Sequence, residues 1–466
     1  MSFSLAVFLS SAARKAAHDL RGVAMTRGLQ GDDLQPIAGN GILHRRLFLK
    51  SSLCLATATA AIPAFAIDAA PKPATPQAAP AAPSVPIDPA SPPWIHQSGL
   101  PFTGYGKPSK YEARTLRNIG ANRDLAGNGV SWTPLEDLEG IITPSGLHFE
   151  RHHNGVPEID PAQHRLVIHG QVKQPLVFTV DNLLRYPMKT HLTFIECGGN
   201  SNAGWHKEPI QRPLGSFHGL VSCSEWTGVP LAILLDQAGI DAKASWVIAE
   251  GADAAVMNVS LPLAKLMDDA IVALYQNGER IRPENGYPMR LLVPGWEGVV
   301  NVKWLRRLHV TDQPVMARNE TAKYTELLPS GKARMFTFVM DAKSLITSPS
   351  PGLKMHGPDV YEVRGLAWTG RGKVTKVEVS ADGGQSWGEA EMQEPVLSRC
   401  FTRFRAPWKW DGKPVVLKSR ATDETGYVQP ERETLVAERG RDGYFHYNAI
   451  VAWGIDETGK IRHVYA

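Results

Sequence analysis

The chain has 466 residues, 43% of them hydrophobic and 21% charged, and a formal net charge of +4. Single hydrophobic cores stop growing at roughly 250–300 residues, so two or more packed domains are expected. The mild positive charge is scattered and forms no basic stripe, which sets aside a nucleic-acid binder. No stretch of the mature chain offers the ~20 apolar residues of a stable membrane span.

In chain order, the first feature is "HRRLFLKSSLCLATATAAIPAFA", His44 to Ala66. It joins Arg45 and Arg46 to a moderately apolar run and then to Ala64-Phe65-Ala66, the layout of an export signal with a small-residue cleavage site. "RRLFLK" resembles a twin-arginine signal, with His44 where Ser or Thr is usual. That resemblance implies periplasmic localisation and export of an already folded protein, a first hint of a cofactor inserted beforehand. Met25 is a second candidate start. Residues 1–66 are read as an N-terminal extension and signal peptide, and 67–104 as an Ala/Pro-rich linker that cannot fold alone. Order is expected to begin between Trp94 and Tyr111. Residues 105–328 are then expected as the catalytic domain and 329–466 as the second domain.

Of four cysteines, Cys54 leaves with the signal, and Cys197, Cys223 and Cys400 remain. An odd number leaves at least one thiol outside any internal disulfide. Cys223 and Cys400 read equally as a pair or as two inert thiols. There is no C-x-x-C-H, so no haem of the usual c type on this chain, and no Cys/His spacing of a zinc site.

"NGVSWTPLEDLEGIITPSG" reads as irregular structure. From Leu147 the pattern mixes α and β. "RLVIHG", "LTFIEC" and "SWVIAEG" are short strands, and "VPLAILLDQAGI" is a helix opened by Pro230 and closed by Gly239. "SLPLAKLMDDAIVAL" reads as a helix then a strand, and "YPMRLLVPG" and "VKWLRRLHVT" as further strands. The absence of regular strand-helix repeats predicts an α+β domain with mostly antiparallel pairing. Past Pro329, "YEVRGLAWTG", "KVTKVEVSADGGQSW", "CFTRFRAPWKW" and "VVLKSRATDETGYVQP" are closely spaced strands with an Asp382-Gly383-Gly384 turn, the pattern of a β-sandwich.

Within "HLTFIECGGN", Cys197 ends a strand and meets two glycines. A thiolate at such an edge is a soft metal ligand or a nucleophile, and Gly198 and Gly199 would let a bulky group approach the backbone. A buried structural cysteine is the plain alternative. A cysteine-nucleophile hydrolase, with His153 or His206 activating Cys197, is another, and so is a cofactor-free periplasmic binding protein whose β-sandwich is the working part.

The ordered set "HFERHHNGVP", "IECGGN", "NGYPMRLLVPG" and "NVKWLRR" resembles the sulfite-oxidase family of molybdenum enzymes, in its sulfane-dehydrogenase branch. The likeness runs from Leu147 to the C-terminus, with "WTGRGKVTKVEVSADGGQSW" resembling the family's dimerisation domain. It implies a mixed α/β molybdopterin-binding domain of sulfite-oxidase type followed by an immunoglobulin-like β-sandwich dimerisation domain. It also implies molybdenum on a single pyranopterin, with Cys197 as the one protein ligand to the metal. Arg151 falls near the metal and His153 on the pterin, and His152 stands where the motif has Asn. Asn285 and Arg290 fall on the cofactor's pterin and phosphate, Lys303 at its phosphate end, and Tyr324 at the position of the family's active-site tyrosine. Arginine and lysine are the residue types that hold a phosphate.

Members that oxidise free sulfite carry arginines where this chain has Ser201 and Asn202. Losing two guanidiniums weakens binding of a small dianion. The resemblance therefore implies oxidation of sulfane sulfur on a sulfur-carrier protein's cysteine persulfide, with free sulfite as the alternative. With no haem of its own, the chain is expected to pass electrons to a c-type cytochrome subunit and to pair with a second copy of itself.

Overall fold

The computed structural model of the chain describes residues 36–43, 93–96, 98–335, 337–441 and 443–466. Arg45, Arg46, Cys54, Met25, the cleavage site and most of the 67–104 linker lie outside the described residues. No helix among the described residues is long and apolar enough to cross a membrane. The described part of Leu53–Thr115 is a separate small unit with two short 3-10 turns, Pro93–His96 and Lys110–Glu112, and mostly exposed side chains.

The first domain holds three sheets. One has five strands, in the order Asn258–Pro262, Trp246–Gly251, Leu305–Thr311, Leu166–Gly170, Leu176–Phe178. Its pairings are antiparallel except for Leu305–Thr311 with Leu166–Gly170, which is parallel. Helix Leu231–Ala238 covers this layer with Leu231, Leu234, Leu235 and Ala238, an apolar stripe of period 3.6. Pro230 precedes it and Gly239, at φ +70°, closes it, because only a residue without Cβ takes that left-handed turn without strain. The expected α+β class with mostly antiparallel strands is what the chain forms.

The second sheet is built on Lys189–Glu196, Val221–Pro230 and Ile271–Gln276, all antiparallel. The third joins Asn118–Ala121, Gly129–Trp132 and Glu150–His152. Its middle strand lies inside the stretch read from sequence as irregular. Ser131 is buried there and Val130 pairs opposite Arg151, so the strand is held by its partners and not by its own pattern.

The second domain is a sandwich. A six-stranded sheet containing Thr402–Trp410, Asp359–Trp368 and Lys343–Ser348 faces a five-stranded sheet containing Val374–Ser380, Val415–Asp423 and Ala452–Ile455. Leu345, Val363, Phe404 and Trp408 from one sheet share a core with Val377, Val379, Leu417 and Trp453 from the other. That core continues into the first domain through Phe194, Leu214, Val221 and Cys223.

The strand that ends at Cys197 sits between the two domains. Its outer half is open, but Thr193–Glu196 are buried throughout, because the second domain covers the face opposite Ile195. The Arg399 carbonyl accepts from the Phe194 amide (3.2 Å) and the Thr193 hydroxyl (2.7 Å). Glu196 Oε1 accepts from Lys343 Nζ at 3.2 Å and from Asn200 Nδ2 at 2.9 Å, while Oε2 accepts from the Trp368 indole at 2.7 Å. Cys223 and Cys400, on opposite sides of this boundary, are buried thiols with sulfurs 3.4 Å apart.

Removing one partner of a buried, hydrogen-bonded ion pair leaves an uncompensated charge. Glu196→Ala is therefore expected to destabilise the chain by about 3–5 kcal/mol, and Glu196→Gln with Lys343→Met by clearly less. Urea unfolding of the single and double variants measures this; a single variant within about 1 kcal/mol of wild type would show the pair to be dispensable.

Candidate active site

Two cavities meet beneath Cys197. The inner one measures about 780 Å³ including its opening and is lined by His148, Arg151, His152, His153, Asn285, Arg290, Asn301, Lys303 and Trp304 among others. The outer one, about 2270 Å³ including its open mouth, is lined by Asn202, His206, Arg212, Arg318, Lys323 and Tyr444 among others. Four residues line both: Arg151, His153, Cys197 and Tyr324. Asn285, Arg290 and Lys303 line only the inner cavity. The seven residues singled out in the sequence thus come together, in two groups.

Local backbone places them. Arg151 and His152 sit on the edge strand Glu150–His152. The expected strand "VKWLRRLHVT" begins only at Leu305, because Trp304 turns left-handed (φ +52°) and its indole donates to the Pro283 carbonyl at 2.9 Å. That turn puts Lys303 on the cavity wall, with its ammonium 4.4 Å from the centre of the Trp304 ring.

The inner wall is cationic. Arg290 donates to the carbonyls of Asn285 (2.9 Å) and Asn301 (2.8 Å) and lies over the Trp226 ring, and among the described residues no carboxylate pairs with it. Burial alone pulls its guanidinium down to about 9. Lys303, pushed far below its ordinary value first by burial and then by Arg290, donates to the carbonyls of Arg151 and Glu284 and to His152 Nδ1 at 2.8 Å. Since Lys303 donates to Nδ1, His152 carries its proton on Nε2 and gives it to Glu150 at 2.7 Å. Arg117 pairs with the same Glu150. Burial raises the Glu150 carboxyl, but the hydrogen bond from His152 and the charge of Arg117 outweigh it and leave it below its ordinary value. His152 is thus a link in a buried chain, Arg117–Glu150–His152–Lys303, that aims the lysine.

Two buried polar atoms of the inner wall, Arg290 Nε and His148 Nε2, have no partner among the described residues. His148 donates from Nδ1 to the Phe149 carbonyl, and burial holds it near 3, so Nε2 is a bare acceptor. A cavity with unpaired buried cations, an orphaned donor and an orphaned acceptor fits a polar heterocycle that ends in a phosphate. His153, lowered to about 4 by burial and then by Arg151, is neutral at pH 7 and suited to hydrogen bonding. Among the described residues no group of three or more His, Cys, Asp or Glu could hold a metal ion. Cys197 would therefore be the protein's contribution to a metal that arrives with ligands of its own.

Burial, then the neighbouring Glu297 and Glu196, push the Cys197 thiol up to about 11. A cysteine nucleophile needs the opposite shift, and no His hydrogen-bonds to its sulfur among the described residues. The hydrolase alternative has no physical support here, whereas a bound metal cation would deprotonate the thiol outright. Tyr324, stacked on Phe445, is raised by burial and then by Cys197, so it keeps its proton and can donate.

Three sequence expectations change. Gly198 does not make room for a cofactor: a Cβ there would lie 1.9 Å from Glu297 Oε1, so it makes room for that buried carboxylate. Gly199 faces the outer cavity. Ser201 is buried, bonded to His218 Nδ1 and Lys343 Nζ at 2.6 Å each, and does not line either cavity; only Asn202 does. The outer cavity also keeps four cations, Arg151, Arg212, Arg318 and Lys323. Glu297 and its partner His446 (3.4 Å) went unnoticed in the sequence, where each is an isolated polar residue, and His148, which opens the quoted "HFERHHNGVP", was assigned no role.

Residues 153–319 match the family described as "Oxidoreductase molybdopterin binding domain", and residues 334–452 match "Mo-co oxidoreductase dimerisation domain". A solved structure of the sulfane dehydrogenase SoxCD from Paracoccus pantotrophus is 43% identical, with a TM-score of 0.78, over 80% of this chain and 97% of that one. The chain belongs to the sulfite-oxidase family of molybdenum oxidoreductases. Its cofactor is accordingly molybdenum carried on a pterin. Mitochondrial sulfite oxidase of Mus musculus is 30% identical over 323 residues, 63% of this chain and 58% of that one. The NADH nitrate reductase of Solanum lycopersicum is 31% identical over 342 residues, 64% of this chain and 37% of that one. The chain thus spans between about a third and three fifths of the curated relatives it matches.

As a family member without a protein counter-charge for Arg290, the chain should respond to Arg290→Met in opposite ways. Cofactor-free protein is expected to melt at the same or a higher temperature, since a buried unpaired charge has gone. Pterin retained through purification is expected to fall about tenfold or more. Equal pterin content in variant and wild type would remove Arg290 from the cofactor site.

Proposed function

We propose that this chain is the molybdenum subunit of a periplasmic enzyme that oxidises sulfane sulfur held as a persulfide on a carrier protein's cysteine. The observation that carries the reading is the outer cavity. It reaches the upper end of the 300–1,000 Å³ typical of small-molecule pockets, has a wide mouth, and opens directly onto Cys197. Such breadth suits a substrate presented on a macromolecule. The likeness to a sulfane dehydrogenase over 97% of the solved chain supports the same reading.

When bound, the molybdenum cofactor supplies two-electron oxygen-atom transfer to sulfur, with electrons leaving one at a time. Cys197 would hold the metal at the junction of the cavities. Asn285, Arg290 and Lys303 from the inner wall, with His153 at the junction, would hold the pterin and its phosphate. Arg151, a cation that reaches both cavities, and Tyr324, a protonated hydroxyl, orient the sulfur group and receive the charge that develops on its oxygens. Trp132, Phe217, Leu220 and Phe445 dry the approach. Electrons pass to a c-type cytochrome subunit, and the β-sandwich pairs two copies of the chain, in keeping with the dimerisation family it matches.

Free sulfite is the second reading, favoured by one observation: Arg151, Arg212, Arg318 and Lys323 all face the outer cavity. Steady-state assays with oxidised cytochrome c as acceptor separate the two. A persulfide-bearing carrier is expected to give kcat/KM at least about tenfold above free sulfite, with Arg151→Met lowering it for either substrate. Equal or better turnover of sulfite would replace the carrier reading.

A further inference from the structure

A short segment upstream of the export signal is built into the second domain. Residues Pro36–Leu43, "PIAGNGIL", form two strands, Pro36–Ala38 and Ile42–Leu43, added to the edge of Thr402–Trp410, where Ile42 pairs with Trp408. Ile42 and Leu43 are buried, and Ile42 belongs to the sandwich core. The turn between the strands is fitted closely. The Gly39 amide donates to Ser386 Oγ at 2.7 Å, and Asn40 Nδ2 donates to the Ala381 carbonyl at 2.9 Å. The Trp408 indole donates to the Asn40 carbonyl at 2.7 Å. Gly41 is left-handed (φ +89°), and a Cβ on it would lie 2.1 Å from the Lys409 carbonyl oxygen.

This is β-strand addition with a buried side-chain anchor, the way a sheet edge captures an extended peptide. The sandwich covers the other end of the same edge with its own strand Glu391–Met392. The occupant at Trp408 comes instead from ahead of the signal, separated in sequence by the signal, the linker and the whole first domain. Cleavage after Ala66 would cut that segment off the enzyme. A covalently tethered contact of this kind exists only in the precursor, so its role belongs there.

We propose that the Trp408 end of this edge is a peptide-docking site for the chain's own Pro36–Leu43, and that docking withholds the adjoining export signal until the segment is released. The inference rests on the export reading of Arg45–Arg46. In the sequence those arginines follow the buried Leu43 by only two and three residues. A receptor that takes the pair as extended peptide competes with the sheet edge for neighbouring residues.

The test uses the full chain in a host with a twin-arginine translocase. Ile42→Asp and Gly41→Val leave His44–Ala66 unchanged. Each is expected to speed trypsin cleavage at Arg45–Arg46 at least about tenfold, the change expected for losing one buried anchor, and to shorten the half-time for appearance of processed protein outside the cytoplasm. Unchanged cleavage, or faster cleavage with unchanged or slower export, overturns the proposal. The double variant Arg45→Lys, Arg46→Lys separates the two layers. If it is exported as fast as wild type by this route, the export reading fails, and with it the withholding role, whereas the trypsin result still judges docking.

Discussion

The buried pair Glu196–Lys343 organises this molecule. Glu196 immediately precedes the cysteine on which the site is centred, and its carboxylate is taken up by a lysine, an asparagine and an indole, two of them from the second domain. Lys343 also donates to Ser201, four residues beyond Cys197. The cysteine therefore sits in a loop tied on both sides to another domain. Such a pair gives less net stability than apolar packing would, but it fixes geometry, because neither charge tolerates a shifted partner. Holding one thiol at a set position between two cavities is a task of that kind.

From that anchor the division of the site follows. Inward lies a cationic wall whose guanidinium and ammonium groups are paired with carbonyls and imidazole instead of carboxylates. Outward lies a broad approach walled by both domains, since Tyr444 and Phe445 come from the second. Among the described residues, four side chains belong to both spaces. On the proposed function, the chemistry belongs where they meet, with the inner space for the cofactor and the outer one for what is exchanged.

How much of this could be read from the sequence depended on how local each feature is. The strand into Cys197 and the helix between Pro230 and Gly239 are written in short runs of residues, and both form as expected. The seven positions picked out by whole motifs line the two cavities, and their roles there are part of the proposed function. The Arg117–Glu150–His152–Lys303 chain and the Glu196–Lys343 pair were not legible, since His152 and Lys303 lie 151 residues apart in the chain and Glu196 and Lys343 lie 147 apart. A hint was present, because Glu196 falls in register with the buried Phe194, and a charge at a buried position demands a partner. Ser201 was misjudged for the reverse reason. Its position in the motif faces substrate in the family's pattern, but here His218 and Lys343 draw it into the interior. Gly198 was misread similarly, as its empty side is filled by Glu297 from a distant turn.

The central claim is that Cys197, at the junction of the cavities, is the protein's bond to molybdenum. X-ray absorption at the molybdenum edge tests it most directly, on wild type and Cys197→Ser purified from a host that makes the cofactor. The account predicts near-stoichiometric molybdenum in wild type, and in the variant either loss of the metal or one fewer sulfur neighbour around it, in a chain that still folds. Full metal content with an unchanged sulfur shell in Cys197→Ser would contradict it.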